Sequence, residues 1–457
     1  MQEDKHRQLH INFELSNNIN SAKRMLASAG FHERSGAMKQ IISLLTYKYL
    51  SESIDNFAED IGYRLDKDYR YNNLLINKGD VIGTLKSGIN QITQENDNPQ
   101  AANVFFDLFD IVDFERFNKN ETWLVFIDVA EKICSETTAT IGEIIIFLIK
   151  NTTGDKRDGI IHPTQDIIKL ITTNQSDVKN IYDPYVVNGT LLAEVGNIID
   201  VKNYYGQHPN KENCILTKMT LLTNNVNYKN IFIKRNEIAE PEVWNDEFDL
   251  CISIPPFGEM GRQPYPNDPR FEPYAPKRVS ELAYLLDMLY NLAENGTIKM
   301  FVPDKVLRGG INKKIIKYLV DEELISTIIT LPEGLFKSVK TPTSIITVNQ
   351  KPKDGIYYLN LREVPTEQPV KKHINMQDID KYTSILANQK EVKLLAKIAT
   401  IDEIRENDYN LAINRYVDQE ELEEIDIRQT IANIKTIKKE LKQVDEELNA
   451  KIGGLFN

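Results

Sequence analysis

The order of apolar and polar positions in the first third of the chain predicts helices. Between Ala37 and Leu50, apolar side chains recur at three- and four-residue spacing, which places them on one helix face and favours its burial. The segment Asn96–Pro99 is rich in Asn and Asp and is typical of a loop between such helices. Residues from about 10 to 150 are therefore predicted to be helical.

From about residue 155 to 400, short β-branched runs alternate with amphipathic stretches. Six runs have the composition of buried strands: Asn180–Asp183, Lys229–Ile233, Asp249–Ser253, Thr297–Val302, Leu324–Ile329 and Ser344–Val348. Alternation of this kind predicts an α/β domain with a mainly parallel, doubly wound sheet. Ligands of such sheets bind at the carboxyl ends of the strands, so functional side chains are expected there.

The last part of the chain has apolar residues at heptad spacing. Ile427, Ile434, Leu441 and Leu448 occupy equivalent heptad positions, and charged residues fill the outer positions. This pattern is typical of a long helix, which either pairs with a partner or packs back on its own domain. The chain is thus predicted to contain three parts: an N-terminal helical domain (1–154), an α/β domain (155–400) and a C-terminal helical or coiled-coil tail (401–457).

Composition and charge narrow the possible functions. The chain has 457 residues, of which 41% are hydrophobic and 27% are charged, as in soluble globular proteins of two or three domains. The formal net charge of -12 argues against strong DNA affinity by this chain alone, because phosphate contacts need clustered Lys and Arg.

The cysteine pattern and the apolar runs bear on metals, compartment and membranes. Cys134, Cys214 and Cys251 lie far apart, so neither a metal site nor a disulfide framework is expected, and a reduced cytoplasmic setting is the simplest interpretation. The N-terminus lacks the apolar core of a signal peptide. The longest apolar stretch, Ile144–Ile149, is too short to span a bilayer, so no membrane association is expected.

A turn after the third predicted strand is the first candidate for chemistry. Ile254, Pro255, Pro256 and Phe257 resemble the Asp/Asn/Ser-Pro-Pro-Tyr/Phe turn of amino-methyltransferases. An adenine amine is a poor nucleophile; in that turn a polar side chain and a carbonyl accept its hydrogens, while the aromatic residue stacks on the flipped base. Phe257 retains the stacking group, but Ile254 has no acceptor. Ser253 is not a simple replacement, because adjacent residues leaving a strand point to opposite sides.

A second candidate follows the first predicted strand. The run from Asp183 to Leu192 is similar to the Asp-Pro-Ala-Cys-Gly-Ser-Gly-Gly-Phe-Leu pattern with which adenine DNA methyltransferases hold S-adenosylmethionine. Asp183, Pro184 and Gly189 match that pattern. Val187 and Thr190 stand where glycines are expected, and a β-branched side chain at a close-approach position fills space that the cofactor needs.

Further segments extend the resemblance over almost the whole chain, in the same order as in one family. They are Ile11–Ser16, Leu44–Leu50, Asp158–Pro163, Tyr205–Gln207, Lys218–Leu222, Glu294–Thr297, Val302–Leu307, Ile329–Phe336 and Asn407–Leu411. In this order they resemble the methylation subunit of type I restriction-modification systems, an adenine-N6 DNA methyltransferase family. The resemblance implies a Rossmann-like methyltransferase fold, S-adenosylmethionine as cofactor and a DNA-reading specificity subunit as partner.

The departures from the family lie at its functional positions. His208 replaces the acid that would accept both ribose hydroxyls of the cofactor, and Arg235 and Asn236 replace a Gly-Asp pair that would contact its adenine ring. His162 replaces a threonine in the segment that closes over the methionine moiety, and Ile254 removes the amine acceptor. These positions would converge on one pocket, while the framework segments still match the family. Weak or absent cofactor binding is therefore expected.

Three functions are compatible with these residues. The first is a catalytically degenerate methylation subunit that acts as a scaffold, with a specificity subunit and a restriction subunit or a second methylation subunit as partners, and with duplex DNA reached through the complex. The second is an active adenine-N6 methyltransferase whose motifs have drifted. The third is a module in which Arg235, His208 and Asn236 bind a nucleotide or another anion in the old cofactor pocket.

Overall fold

The computed structural model describes most of the chain up to residue 417. The described residues are 2–31, 36–56, 61–94, 98–135, 137–152, 161–240, 244–258, 262–272, 274, 276, 279–310, 313–333, 335–336, 341–349, 355–362, 376–417, 438, 441 and 444.

The N-terminal part is helical, as the apolar spacing predicted. Its helices are α1 (Gln2–Ser28), α2 (Ala37–Asn56), α3 (Tyr71–Ile76), α4 (Val81–Ile92), α5 (Pro99–Phe105), α6 (Asn120–Ser135) and α7 (Ile141–Thr152). Apolar residues of α2 such as Ile41, Leu45 and Tyr47 are buried, which accounts for the spacing seen in the sequence. Asn98 caps α5 by accepting hydrogen bonds from the N–H groups of its first turn.

One large sheet follows the N-terminal helices. Its strands, in chain order, are β1 (Val178–Asp183), β2 (Val201–His208), β3 (Ile231–Arg235), β4 (Phe248–Ser253), β5 (Leu292–Pro303), β6 (Ile325–Thr330), β7 (Thr343–Asn349), β8 (Gly355–Asn360) and β9 (Ala396–Thr400). The spatial order is β3-β2-β1-β4-β5-β7-β6-β8-β9. In this spatial order, the first five strands, β3-β2-β1-β4-β5, pair in parallel. Strand β7 lies antiparallel between β5 and β6, and β9 is antiparallel to β8. The mainly parallel sheet is confirmed.

Helices cover both faces of this sheet. The remaining helices are α8 (Gln165–Thr172), α9 (Thr190–Gly196), α10 (Lys211–Thr223), α11 (Glu281–Tyr290), α12 (Asp304–Leu307), α13 (Lys313–Asp321), α14 (Met376–Ala387) and α15 (Ile401–Glu406). Apolar residues of α8, α9, α10 and α14 join one core cluster with those of the N-terminal helices. Those of α11, α13 and α15 form the other. The doubly wound α/β fold is therefore confirmed.

Adjacent residues of one strand face opposite sides of the sheet and so belong to different core clusters. On β1, Ile181 faces the core shared with the N-terminal helices and Tyr182 faces the opposite one, and Ile345 and Ile346 divide in the same way on β7. This is the two-residue period of a strand buried on both faces. It explains why these strands appear in the sequence as continuous apolar runs.

The heptad segment lies almost entirely outside the described residues. Ile427, Ile434 and Leu448 belong to the part that is not described. Leu441 and Val444 are helical, with 63% and 62% of their surface exposed.

Candidate functional site

The carboxyl ends of β1 and β4 meet at a buried carboxyl group. Asp183, the last residue of β1, is 3% exposed, and its Oδ1 accepts hydrogen bonds from Ser253 Oγ at 2.8 Å and from the Tyr185 N–H at 2.9 Å. Burial raises the pKa of the Asp183 carboxyl to about 7, against the lowering effect of the two hydrogen bonds. Ser253 lies directly before the Pro-Pro-Phe turn, so the hydrogen bond ties that turn to the loop after β1.

The loop after β1 packs closely against α10. Gly189 has φ +74, and a Cβ there would lie 2.9 Å from the Thr217 Cα, so both conformation and space require glycine. Asn188 Oδ1 accepts hydrogen bonds from the backbone N–H of Thr190 at 3.2 Å and from its hydroxyl at 2.8 Å, and the Thr220 hydroxyl donates to the Asn188 carbonyl at 2.8 Å. The single glycine that matches the family pattern thus holds the loop on its supporting helix.

His208 at the end of β2 has a structural role that its sequence position did not reveal. Its Nδ1 accepts the N–H of Asn210 at 2.9 Å, just before α10 begins. The ring is buried, and burial lowers its pKa to about 4, so the imidazole is neutral at pH 7. Because Nδ1 already accepts the Asn210 N–H, the neutral ring carries its proton on Nε2. The ring therefore cannot accept hydrogen bonds from the two hydroxyls of a ribose.

Tyr185 lies between His208 and an aromatic residue of α11. Its ring centroid is 4.5 Å from that of His208 and 5.6 Å from that of Tyr284. Tyr185 stands at the alanine position of the family pattern and is half-buried. A phenol ring therefore lies beside the position from which an acid would bind the cofactor ribose.

The Pro-Pro-Phe turn retains a defined shape. Pro255 is buried, and Ile254 and Phe257 are half-buried and pack against the core shared with the N-terminal helices. The backbone N–H that follows the turn, on Gly258, donates to the Glu281 carboxylate at the start of α11 at 2.7 Å. The turn is held by this contact and by Ser253, and its first side chain is apolar.

The remaining predicted residues lie around this region. Asn236 is buried; its Nδ2 donates to Gln207 Oε1 at 3.1 Å and its backbone N–H donates to the His208 carbonyl at 3.2 Å. Arg235 is exposed, and its Nε donates to the Pro209 carbonyl at 3.1 Å. Neither the amide of Asn236 nor the guanidinium of Arg235 contacts Asp183.

His162 and Pro184 complete the set. Pro184 is buried directly after β1. Burial lowers the pKa of His162 to about 4, with a further contribution from Lys150 of α7. His162, like His208, therefore supplies no positive charge at neutral pH, so the two histidines do not support an anion site there.

These residues do not fit the S-adenosylmethionine that the resemblance implies. A ribose needs acceptors for its two hydroxyls, and the described residues near the carboxyl ends of β1 and β2 offer buried donors instead: Asn188 Nδ2 in the loop after β1 and Gln207 Nε2 on β2 have no hydrogen-bond partner among them. His208 is occupied by Asn210, and the Tyr185 ring packs on it.

The structure brings part of the predicted set together. Asp183, His208 and Asn236 lie at the neighbouring carboxyl ends of β1, β2 and β3; Asn236 bonds to the His208 carbonyl, and Ser253 bonds to Asp183. The sequence analysis missed Tyr185, Tyr284 and Glu281. Tyr185 carried a signal, since the family pattern has alanine there; the two residues of α11 carried none.

The described residues contain neither a cluster of metal ligands nor a membrane-spanning helix. Among them, no group of three or more His, Cys, Asp and Glu side chains is placed to hold a metal ion. No helix in the same residues combines the length and apolar character needed to cross a bilayer. Cys134, Cys214 and Cys251 are free thiols.

Comparisons with known proteins agree with this fold. The family model of N-6 DNA methylases matches residues 137–425. The methylase subunit of type I restriction enzyme MjaVII from Methanocaldococcus jannaschii is 26% identical over 419 residues, covering 84% of this chain and 71% of that protein. The MpnII methylase subunit from Mycoplasma pneumoniae is 25% identical over 468 residues, covering 84% and 86%.

Solved structures share the fold. The type I restriction-modification methyltransferase subunit from Streptococcus thermophilus has a TM-score of 0.75 at 22% identity, covering 89% of this chain and 100% of that chain. A modification subunit of a putative type I restriction enzyme from Vibrio vulnificus has a TM-score of 0.64 at 16% identity, covering 86% and 93%. The resemblance stated from the sequence is thereby confirmed.

Proposed function

Because the chain belongs to the N-6 DNA methylase family, we propose that it is a type I methylation-subunit homologue that has lost methyl transfer and acts as a scaffold. The complex it serves is a multi-subunit restriction or defence assembly. The observation that carries the proposal is the position of Tyr185 between His208 and Tyr284.

Loss of cofactor binding is supported by the contacts around Tyr185. The phenol ring lies where the family pattern has a methyl group, and Val187 lies where it has glycine. Two enlarged side chains in one loop take up volume at the end of β1. At position 208, histidine replaces a carboxylate that would accept hydrogen bonds from the ribose. A charged acceptor of this kind contributes about 1.5–3 kcal/mol of binding free energy per hydrogen bond.

Loss of the methyl-transfer step is supported by the turn itself. Ile254 has no hydrogen-bond acceptor, and the preceding Ser253 is fully buried, with its hydroxyl directed at Asp183. Removal of one preorganised hydrogen-bonding group in an active site typically lowers kcat by about 10²–10³. Weakened cofactor binding would add to that loss.

A scaffold role is supported by what remains. The fold, the loop support at Gly189 and the anchored turn are all kept. Leu441 and Val444 are helical and exposed, which is expected of an apolar helix face that docks on a partner. The MjaVII and MpnII relatives are subunits of larger enzymes, so a specificity subunit is the first partner to test. With a net charge of -12, this chain would reach duplex DNA through that partner.

The decisive experiment measures cofactor binding and methyl transfer separately. Isothermal titration with S-adenosylmethionine is expected to give no saturable binding at a Kd below about 1 mM. Transfer of tritiated methyl groups to adenine-containing duplex DNA, with a specificity subunit present, is expected to stay at background. An intact type I methylation subunit with its own specificity subunit is the positive control. Saturable binding together with transfer to adenine would refute the proposal.

An active methyltransferase is the alternative, favoured by one observation. The Pro-Pro-Phe turn keeps its anchor through Gly258 and Glu281. If the turn still holds a base, with backbone carbonyls as acceptors, Phe257→Ala would abolish transfer. In a scaffold, the same variant would leave complex assembly unchanged.

A further inference from the structure

A cavity outside the cofactor region lies at the edge of the sheet. Its volume is about 430 Å³, and it is lined by residues of α5 and the turn after it, of α10, and of the edge strand β3. This volume falls within the range of small-molecule sites, roughly 300–1,000 Å³. Asp183, Gly189, His208 and Asn236 do not line it, whereas Arg235 does, so the cavity borders the site described above and shares Arg235 with it.

Two cationic groups face this cavity. Lys218 on α10 is 4% exposed, and its ammonium donates to the Asn103 carbonyl at 2.5 Å and to the Asp107 carboxylate at 2.8 Å. An ammonium has three N–H donors, so one remains for a ligand. The partners on α5 and the turn after it hold this lysine in place, which lowers the entropy lost when a ligand binds.

Arg235 provides the second cation. Its Nε donates to the Pro209 carbonyl, which fixes the guanidinium plane. The terminal nitrogens of Arg235 make no hydrogen bond or ion pair within the described part of the chain. Such a group matches the paired oxygens of a phosphate. Lys234 also lines the cavity, although its ammonium lies over the Trp244 ring, 4.0 Å from the centroid.

An exposed aromatic ring completes the lining. Phe106, directly after α5, has 62% of its surface exposed. Aromatic rings at the mouth of a cationic cavity provide a stacking surface for a planar base. The neighbouring pair Lys211 and Asp110, 2.5 Å apart, adds no net charge. The positive charges of Lys218 and Arg235 exceed the single negative charge of Asp107. The cavity is therefore locally positive, although the protein as a whole is acidic.

We propose that this cavity binds a nucleotide, with its phosphates on Lys218 and Arg235 and its base stacked on Phe106. Of the residues assigned to the old cofactor pocket it uses Arg235 alone, and it needs neither S-adenosylmethionine binding nor methyl transfer.

The test uses isothermal titration of the full chain with ATP, adenosine and tripolyphosphate. ATP is expected to bind saturably, and adenosine and tripolyphosphate are expected to bind at least about tenfold more weakly, because each offers only one of the two contacts. Arg235→Ala and Phe106→Ala are each expected to weaken ATP binding by about tenfold, the effect of losing one charge-assisted contact or one stacking contact. Both side chains are exposed, so the variants should remain folded, and thermal unfolding checks this.

Matched controls separate this site from the effects of general charge and of general aromatic exposure. Lys202→Ala removes an exposed cation from the adjacent strand, and Phe13→Ala removes an exposed aromatic residue of α1; neither is expected to change ATP affinity.

Several outcomes would overturn the assignment. They are absence of saturable ATP binding, equal affinity for tripolyphosphate, insensitivity to Arg235→Ala and Phe106→Ala, or an equal loss of affinity in Lys202→Ala and Phe13→Ala. Displacement of ATP by a short single-stranded oligonucleotide at lower concentration than ATP itself would assign the cavity to nucleic acid and refute the mononucleotide.

Discussion

Replacing Asp183 by Asn removes a buried carboxyl group whose ionisation opposes folding. Burial raises its pKa from 3.8 to about 7, so the folded state favours the protonated form. The stability that this group contributes is fully present below pH 3.8 and is lost as the pH rises through 7. Asn keeps an Oδ1 acceptor for Ser253 and for the Tyr185 N–H but carries no charge, so Asp183→Asn should stabilise the protein at neutral and alkaline pH.

The magnitude follows from the two pKa values. Relative to acid pH, the raised pKa of Asp183 lowers the free energy of unfolding by about 2 kcal/mol at pH 5 and by about 4 kcal/mol at pH 8. The free energy of unfolding of Asp183→Asn, relative to the wild type, should therefore rise by about 2–3 kcal/mol between these pH values. This difference between pH values cancels any pH-independent effect of the substitution.

Urea unfolding at pH 5 and pH 8, at constant ionic strength, measures this difference. Asp128→Asn is the matched control, because Asp128 is exposed on α6; its effect on stability should be nearly the same at both pH values. If the gap between Asp183→Asn and the wild type stays constant or narrows from pH 5 to pH 8, the buried carboxyl does not oppose folding, and the reasoning from burial is wrong.

Further expectations concern the loop, the histidine and the tail. Burial lowers the pKa of His208 from 6.5 to about 4, so stability present above pH 6.5 is lost as the pH falls towards 4; His208→Asn should reduce the loss between pH 8 and pH 5 by about 2 kcal/mol in urea unfolding. Gly189→Ala should destabilise by about 2–4 kcal/mol, from positive φ and the contact with α10, whereas Gly79→Ala, with open space and no positive φ, should lie within about 1 kcal/mol of the wild type. The double variant Tyr185→Ala/His208→Asp should raise affinity for S-adenosylmethionine at least about tenfold in calorimetry, and an unchanged affinity would locate the loss elsewhere. Leu441→Asp should weaken co-elution with a specificity subunit without changing the melting temperature; unaltered co-elution would exclude the tail as the docking surface.

The strands were predictable where the chain is apolar on both faces. The runs ending at Asp183 and Ser253 were found from composition, since both sheet faces are buried by helices. The pattern did not predict β2, β8 and β9. On β2, Val201 is the only aliphatic residue, and the buried positions are filled instead by side chains such as Tyr204, Tyr205 and Gln207. Lys229 and Asn230, predicted as strand, form a short 3₁₀ turn before β3.

The candidate site was predictable only in part, because some of its contacts join residues that are far apart in the sequence. The family resemblance located Asp183, His208 and Ile254, and each ends or directly follows a strand, where the carboxyl ends of parallel strands meet at one edge. The hydrogen bond between Ser253 and Asp183 joins residues far apart in the sequence. Periodicity along the chain carries no information about such a pairing.

The sequence by itself determined the fold class, the family and the positions at which the family's functional residues have changed. These depend on local patterns and on motif order, which are properties of the linear chain. Only the tertiary structure decided what the changed residues do: Tyr185 packs between His208 and Tyr284, His208 accepts a backbone hydrogen bond before α10, and Asp183 is buried with a raised pKa. The physical reason is that burial and side-chain contact depend on neighbours that the fold, and not the order of residues, brings together.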